Sequence, residues 1–152
     1  MDNTLMKQKI LTFVVHGKKI LALYSESHPK HGEGGWFVVT GSVEEGESYK
    51  EAVAREIREE TGLNFKKIFP LNWGSIYTWR DESCEEFNFL TFVKKRKVVL
   101  NEEHTTYEWL DLDSFVNKIK WNDDKELLKK VLKKAIKGEL YFKEKTVKDY
   151  RI

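Results

Sequence analysis

With one cysteine in 152 residues the chain has no intramolecular disulfide. Cys84 stands in a polar, turn-like stretch, so nothing marks an oxidising compartment, a zinc cage or a thiol nucleophile. Proline is almost as scarce: Pro29 and Pro70 are isolated, and no repeat or low-complexity tract appears, which excludes a Pro-rich linker and a repeat array. Long hydrophobic runs are missing too. Ile10 to Val15 is interrupted by Thr12 and stops at His16-Gly17, too short for a spanning helix or an export signal. What remains is 40% hydrophobic and 13% aromatic, with five Trp, enough to close one core, while 34% charged residues exclude a membrane protein. The sequence therefore predicts one soluble, cytoplasmic domain over residues 1–152.

Net charge is only +2, but it is unevenly spread: 14 acidic and 11 basic side chains up to residue 93, then 16 basic and 11 acidic. The later lysines fall on helix patterns and read as solvated faces, so no specific nucleic-acid partner is expected.

Lys9 to Val15 and Lys19 to Tyr24 flank His16-Gly17-Lys18 as a hairpin, and a loop follows from Ser25 to Gly35. Trp36 to Thr40 is a short strand. Ser48 then caps a helix over Tyr49 to Thr61, with Glu51 completing a capping box and Gly62 ending it. Phe65 to Trp73, Ser75 to Trp79 and Glu86 to Val93 have strand composition, with Asp81 to Glu85 as a turn, and Val98 to Leu100 and Tyr107 to Leu110 read as short strands. Asp113 to Lys120 reads as a short helix. Leu127, Leu128, Val131, Leu132, Ala135 and Ile136 are spaced for one helical face from about Asp123 to Lys137. Glu139 to Ile152 is open between a strand and a docked tail. Strands and helices mix without strict alternation, which predicts an α+β fold, a mixed sheet between helices.

The first helix carries the chemistry. At about 100° per residue, Glu59 and Glu60 lie roughly 60° and 40° to either side of Glu56, so three carboxylates share an arc. Tyr49, Ala52, Val53 and Ile57 overlap that arc, so the acids continue the inward stripe instead of opposing it. Glu56 and Glu60 are like charges at i,i+4, and all three sit towards the negative end of the helix dipole; each such effect costs a few tenths to ~1 kcal/mol. The pattern calls for a cation. Hard oxygen donors with no His or Cys close in sequence favour magnesium, manganese or calcium. Thr40-Gly41-Ser42-Val43-Glu44-Glu45-Gly46-Glu47 adds a tight loop before the cap, where a carbonyl near Thr40 can join the carboxylates and Glu47 can pair with Arg55.

Gly41, Glu47, Arg55, Glu56, Ile57, Glu59, Glu60, Gly62 and Leu63 match throughout the Nudix hydrolase signature, G-x5-E-x7-R-E-U-x-E-E-x-G-U with U aliphatic. Nine constrained positions make coincidence on the order of 10^-8. The chain therefore resembles that family, which implies a mixed sheet between helices and metal-dependent hydrolysis of a nucleoside diphosphate linked to another group. On this resemblance Glu56 and Glu60 are the principal ligands of Mg2+ (or Mn2+), Glu59 is a further ligand or handles the attacking water, and Thr40 is a backbone ligand. Arg55 and Glu47 orient Glu56 and the loop, and Gly41 and Gly62 serve backbone geometry. The loop 39–47 resembles that of dihydroneopterin triphosphate and dATP pyrophosphohydrolases. Glu103-His104, with Tyr107, Trp109 and Leu110, is similar to a segment shared by that group and the diadenosine tetraphosphate hydrolases. This makes Glu103 an additional ligand or general base; His104 reads as a structural histidine.

For the substrate, Lys30 and Arg80 are candidate phosphate contacts and Trp36, Tyr77 and Trp79 candidate stacking residues. The leading expectation is a nucleoside triphosphate pyrophosphohydrolase acting on dATP or a pterin triphosphate. Alternatives are a dinucleoside polyphosphate hydrolase, a non-catalytic nucleotide sensor and, with the lysine-rich C-terminal half, removal of an RNA cap. Dimers occur in the family.

Overall fold

The computed structural model describes residues 6–26, 34–79, 82–121 and 123–138, the side chains of 72–79 excepted. Lys30, Arg80 and the segment from Glu139 onward lie outside the described residues, as do the Tyr77 and Trp79 side chains. The strands are β1 (Lys7–His16), β2 (Lys19–Ser25), β3 (Gly35–Phe37), β4 (Val39–Ser42), β5 (Phe65–Trp79), β6 (Glu82–Val93) and β7 (Thr106–Leu110); the helices are α1 (Tyr49–Thr61), α2 (Leu112–Lys118) and α3 (Lys125–Ile136).

β1 is the spine. It pairs in parallel with β6 from Lys7↔Cys84 to Val15↔Phe92, and with β2 only at the hairpin end, Val15↔Ile20 and His16↔Lys19. Gly17 takes the turn with φ 65, a conformation that costs glycine nothing. Beyond that end β1 and β2 part. β3 adds to β2 (Leu23↔Phe37), β4 adds to β1 (Leu11↔Thr40), and β7 covers the other edge of β2. The chain changes partner at Val38, so the single strand expected over Trp36 to Thr40 is two.

Both faces of the sheet are buried, which is why β1 is almost continuously apolar. Ile10, Val14, Leu21, Leu23, Phe87 and Phe89 meet Ala52, Val53 and Ile57 of α1. Leu11, Phe13, Val15, Ile20, Ala22 and Leu90 meet Phe115 and Val116 of α2 and Leu128, Val131 and Leu132 of α3. This is the α+β sandwich expected from sequence. Three boundaries differ. β5 runs through the expected break at Gly74, its irregularity absorbed by register shifts between Phe65 and Lys67 and between Pro70 and Gly74. Glu82 to Glu85, expected in a turn, are strand residues paired with β5. Val98 to Leu100 forms no strand: Val98 is buried against the α1 core, and the Val99 amide donates to the Thr61 carbonyl at 2.8 Å.

Candidate active site

α1 begins and ends where local chemistry dictates. The Ser48 hydroxyl accepts from the Glu51 amide at 3.1 Å, and the Ser48 amide donates back to the Glu51 carboxylate at 2.9 Å; such a cap contributes about 1 kcal/mol. Gly62 closes the helix in the left-handed conformation, φ 75, donating to the Arg58 carbonyl. Between these caps Ala52, Val53, Ile57, Glu60 and Thr61 are buried, so Glu60 does lie on the inward stripe, at 2% exposure.

The loop from β4 is held by Arg55. Its Nε and Nη2 donate to the two Glu47 carboxylate oxygens at 2.8 and 3.0 Å, a fork-to-fork pair. Nη2 also donates to the Ser42 carbonyl at 2.8 Å, and Nη1 to Glu56 at 2.9 Å. Glu47 in turn accepts from the Glu44 amide at 2.9 Å. One guanidinium thereby ties the loop, its acid and the first site carboxylate together. These hydrogen bonds hold the Glu47 carboxyl below its ordinary range, and the bond to Glu47, with Glu56 adding to it, raises Arg55.

Gly41 is required by contact: a β-carbon there would overlap the Glu56 carboxylate. Thr40 is placed by the strand pattern. The Val43 amide donates to the Gln8 carbonyl, and peptide groups in an antiparallel pair point alternately toward and away from the partner. With Ile10 opposite Gly41 and Leu11 opposite Thr40, the peptides of Gly41 and Val39 face β1, and those of Ser42 and Thr40 face the other edge. Arg55 meets the Ser42 carbonyl there, so the Thr40 carbonyl is directed to the same side.

Glu60 is the unusual group. No ion pair among the described residues reaches it, and Arg55 is committed to Glu47 and Glu56. Burial pushes its carboxyl well above the ordinary carboxylate range, and a hydrogen bond with Glu56 and the charges of Glu103, Glu56 and Glu59 push the same way. Burial raises Glu56 too, opposed by hydrogen bonds to Glu60 and Arg55. Glu59 projects further out, its side chain 54% exposed and 3.5 Å from Arg55 Nη1.

The segment after β6 supplies the far wall. The Thr105 amide donates to the Tyr24 carbonyl at the end of β2, and the Glu103 amide to the Asn101 side chain at 3.0 Å. This brings Glu103, His104 and Glu60 together, with one donor atom from each within 4.8 Å of the others. His104, expected as a structural histidine, is 7% exposed, and its buried Nδ1 has no hydrogen-bond partner among the described residues. Such an orphan costs about 1–3 kcal/mol unless a ligand satisfies it. Burial lowers its pKa, so the ring is a neutral donor. An uncompensated buried carboxylate, an orphaned imidazole nitrogen and converging acids fit a divalent cation. The sequence alone does not bring His104 to α1, because the pairing of β7 with β2 is what places it there.

Trp36 falls elsewhere. It packs on the α2 side of the sheet, 5.3 Å from the Tyr24 ring, with Lys118 Nζ 4.6 Å from its centroid, while the Lys120 amide donates to its carbonyl. These contacts place it on the face away from α1.

A mixed sheet between helices, with a glycine loop leading from a strand into an acidic helix, defines the Nudix architecture. Residues 8–131 match the NUDIX domain family, and the chain belongs to it. It is 32% identical over 96 residues to the NAD-capped RNA hydrolase NudC of Mannheimia succiniciproducens, a match covering 62% of this chain and 35% of that protein. The chain spans about a third to two-fifths of the length of the curated relatives it matches. In fold it is similar to a C. elegans Ap4A hydrolase (TM-score 0.69, 20% identity, covering 88% of this chain and 99% of that one). It is also similar to the E. coli dihydroneopterin triphosphate pyrophosphohydrolase (TM-score 0.63, 23% identity, 83% and 96%). No helix among the described residues is long and apolar enough to cross a membrane.

Proposed function

We propose that the chain hydrolyses a phosphoanhydride bond of a nucleotide with the help of Mg2+ or Mn2+, and that its substrate is a nucleoside or pterin triphosphate, converted with one water to monophosphate and pyrophosphate. The observation that carries this reading is Glu60: a buried acid beside Glu56 and Glu103 with no cationic side chain reaching it among the described residues. Glu56, Glu60 and Glu103, with the Thr40 carbonyl and Glu59, are the residues that would hold the cation. Once bound, a divalent ion neutralises adjacent phosphates and acidifies water. Arg55 fixes Glu56 and the loop through its forked contacts. Accepting the proton of the attacking water falls to Glu59 or Glu103, both exposed carboxylates at the rim.

On the opposite face, Lys9, Glu86 and Asn88 are buried polar side chains at the end of an otherwise apolar surface, with Lys9 opposite both Ser42 and Glu86 in register. We assign them to reading the base, since buried polar groups beside an apolar wall are what fixes a ligand's orientation. Because the Glu103-His104 segment resembles both groups, the second reading is a dinucleoside polyphosphate hydrolase. A panel of dNTPs, pterin triphosphates, dinucleoside polyphosphates and NAD-capped RNA, with products identified, tests both. Pyrophosphate from a triphosphate supports the first, ATP from diadenosine tetraphosphate supports the second, and no hydrolysis of any member with Mg2+ or Mn2+ refutes the activity. The cytoplasm, where such nucleotides occur, is the proposed location.

A further inference from the structure

We propose that His104 donates Nδ1 to the cation held by Glu60 and Glu103, making that position a mixed nitrogen–oxygen site that selects manganese or cobalt over magnesium. The inference rests on the cation-dependent reading above and adds a donor type that the acidic helix does not contain. Two independent observations meet here. The donor atoms of Glu60, Glu103 and His104 lie within 4.8 Å of one another. His104 is 7% exposed, and its Nδ1 is buried with no hydrogen-bond partner among the described residues.

Distances decide between a ligand and a misplaced core residue. Around one first-row ion at ~2.0–2.2 Å, trans donors are ~4.4 Å apart and cis donors ~3 Å, so three donor atoms within 4.8 Å of one another close on an ion with side-chain movements of about an ångström. A purely structural histidine would have its buried nitrogen satisfied by the protein; this ring also has a nitrogen within 4.8 Å of a carboxylate oxygen of both Glu60 and Glu103.

Selectivity follows from donor chemistry. Magnesium takes oxygen donors in a near-ideal octahedron and keeps much of its water, whereas imidazole suits first-row transition ions. The carboxylates of Glu56 and Glu59 with the Thr40 carbonyl offer oxygen alone, so the site has two unlike positions: an all-oxygen one suited to magnesium, and the Glu60–Glu103–His104 position suited to manganese.

The test is pulsed electron paramagnetic resonance of the full chain loaded with Mn2+, which detects histidine nitrogen bound to the ion, together with calorimetric titration of Mn2+ and Mg2+. The expected result is a nitrogen coupling in the parent that disappears in His104→Gln, with Mn2+ affinity at this position falling at least ~10-fold and Mg2+ affinity changing by less than ~3-fold. Because the chain carries four histidines, a variant with His16, His28 and His31 replaced by Asn is measured too. It leaves His104 as the one histidine, keeps the coupling and decides the matter even if His104→Gln does not fold. Mn2+ bound to the parent without nitrogen coupling, or a coupling that survives in His104→Gln, overturns the inference and leaves the hydrolase reading standing. Failure of the parent to bind Mn2+ or Mg2+ at all overturns both.

Discussion

In Glu60→Gln the side chain keeps its shape and loses its charge, so the variant isolates what the acid costs the cation-free protein. Glu60 is buried at 2% exposure, one turn from Glu56, towards the negative end of α1. A like-charge i,i+4 pair costs ~0.2–0.5 kcal/mol and an acid near the helix C-terminus ~0.3–1 kcal/mol, and burial adds to both. A gain of about 2 kcal/mol is expected for the variant at pH 8 without cation, or about 4–8 °C in Tm for a chain of this size. The sign with pH is definite. The folded-state pKa of Glu60 is raised above its ordinary value, so above about pH 4.5 the folded protein holds a proton that the unfolded chain has released. The cation-free parent therefore loses stability as pH rises from about 4.5 through the folded pKa, whereas the variant lacks this contribution and the gap closes near pH 5. Cation reverses the order: at ~100 times its Kd it stabilises the parent by ~2.7 kcal/mol, and the variant gains far less. Calorimetric melts at pH 5 and pH 8, in chelator and in saturating Mg2+, read all four states, and turnover in the variant is expected to fall at least ~100-fold. A cation-free variant that melts below the parent at pH 8 would mean that a partner inside the fold already neutralises Glu60, and the metal reading would be wrong.

Gly41→Ala places a methyl group where the Glu56 carboxylate lies; cation affinity is expected to drop at least ~10-fold with the far-ultraviolet circular dichroism unchanged, and parent-like affinity would show that Glu56 is free to move. Arg55→Lys keeps the charge but loses the fork that grips Glu47, Ser42 and Glu56. Turnover should fall at least ~10-fold and loop 42–48 become more open to protease, and equal cleavage rates would refute the tethering role. Glu47 has a lowered pKa, so its contribution to stability is present above about pH 4.5 and is lost as pH falls through the folded value; amide exchange in that loop should quicken below pH 4.5 and not in Glu47→Gln. Trp36→Leu removes packing against Tyr24 and Lys118 and should lower Tm by several degrees while leaving KM for the best substrate within ~2-fold; a large KM change would return Trp36 to the substrate site.

Where the chain announced itself, the signals were local and redundant. The ends of α1 follow from Ser48, Glu51 and Gly62, each acting within a turn of the backbone it satisfies. The arc of acids follows from helix period alone, and Glu60 is buried as that period requires. The hairpin at Gly17 is equally local. The fold departs from the sequence expectation where partner choice is decided at long range. Nothing around Val38 signals that Phe37 will pair with Leu23 while Val39 pairs with Thr12. The polar run Glu82 to Glu85 has turn composition, yet β5 pairs with all four residues and β1 with Cys84 and Glu85. Val98 and Val99 have strand composition, but one fills the α1 core and the other covers Gly62.

The donor set shows why a motif is not a site. From sequence, the first helix offers oxygen alone, and that chemistry points to a hard ion. In the fold, the segment after β6 is pinned to β2 by the Thr105 amide and by the β7 ladder, and this pairing carries an imidazole to within coordination reach of the innermost acid. Neither Glu60 nor His104 is comfortable by itself, since one is a buried acid whose ionisation burial opposes and the other a buried nitrogen without a bond. Unrelated sequence positions that are each destabilising and that meet at one point are better explained by a ligand than by two separate lapses in packing. If that is so, the two changes should act almost independently on cation-free stability, their effects close to the sum of the single changes. In a double-mutant cycle of Glu60→Gln and His104→Gln, the coupling measured in chelator should be small, and it should grow by more than ~1 kcal/mol in saturating Mn2+. A coupling of the same size with and without the ion would mean that the two groups interact directly and that no ion bridges them.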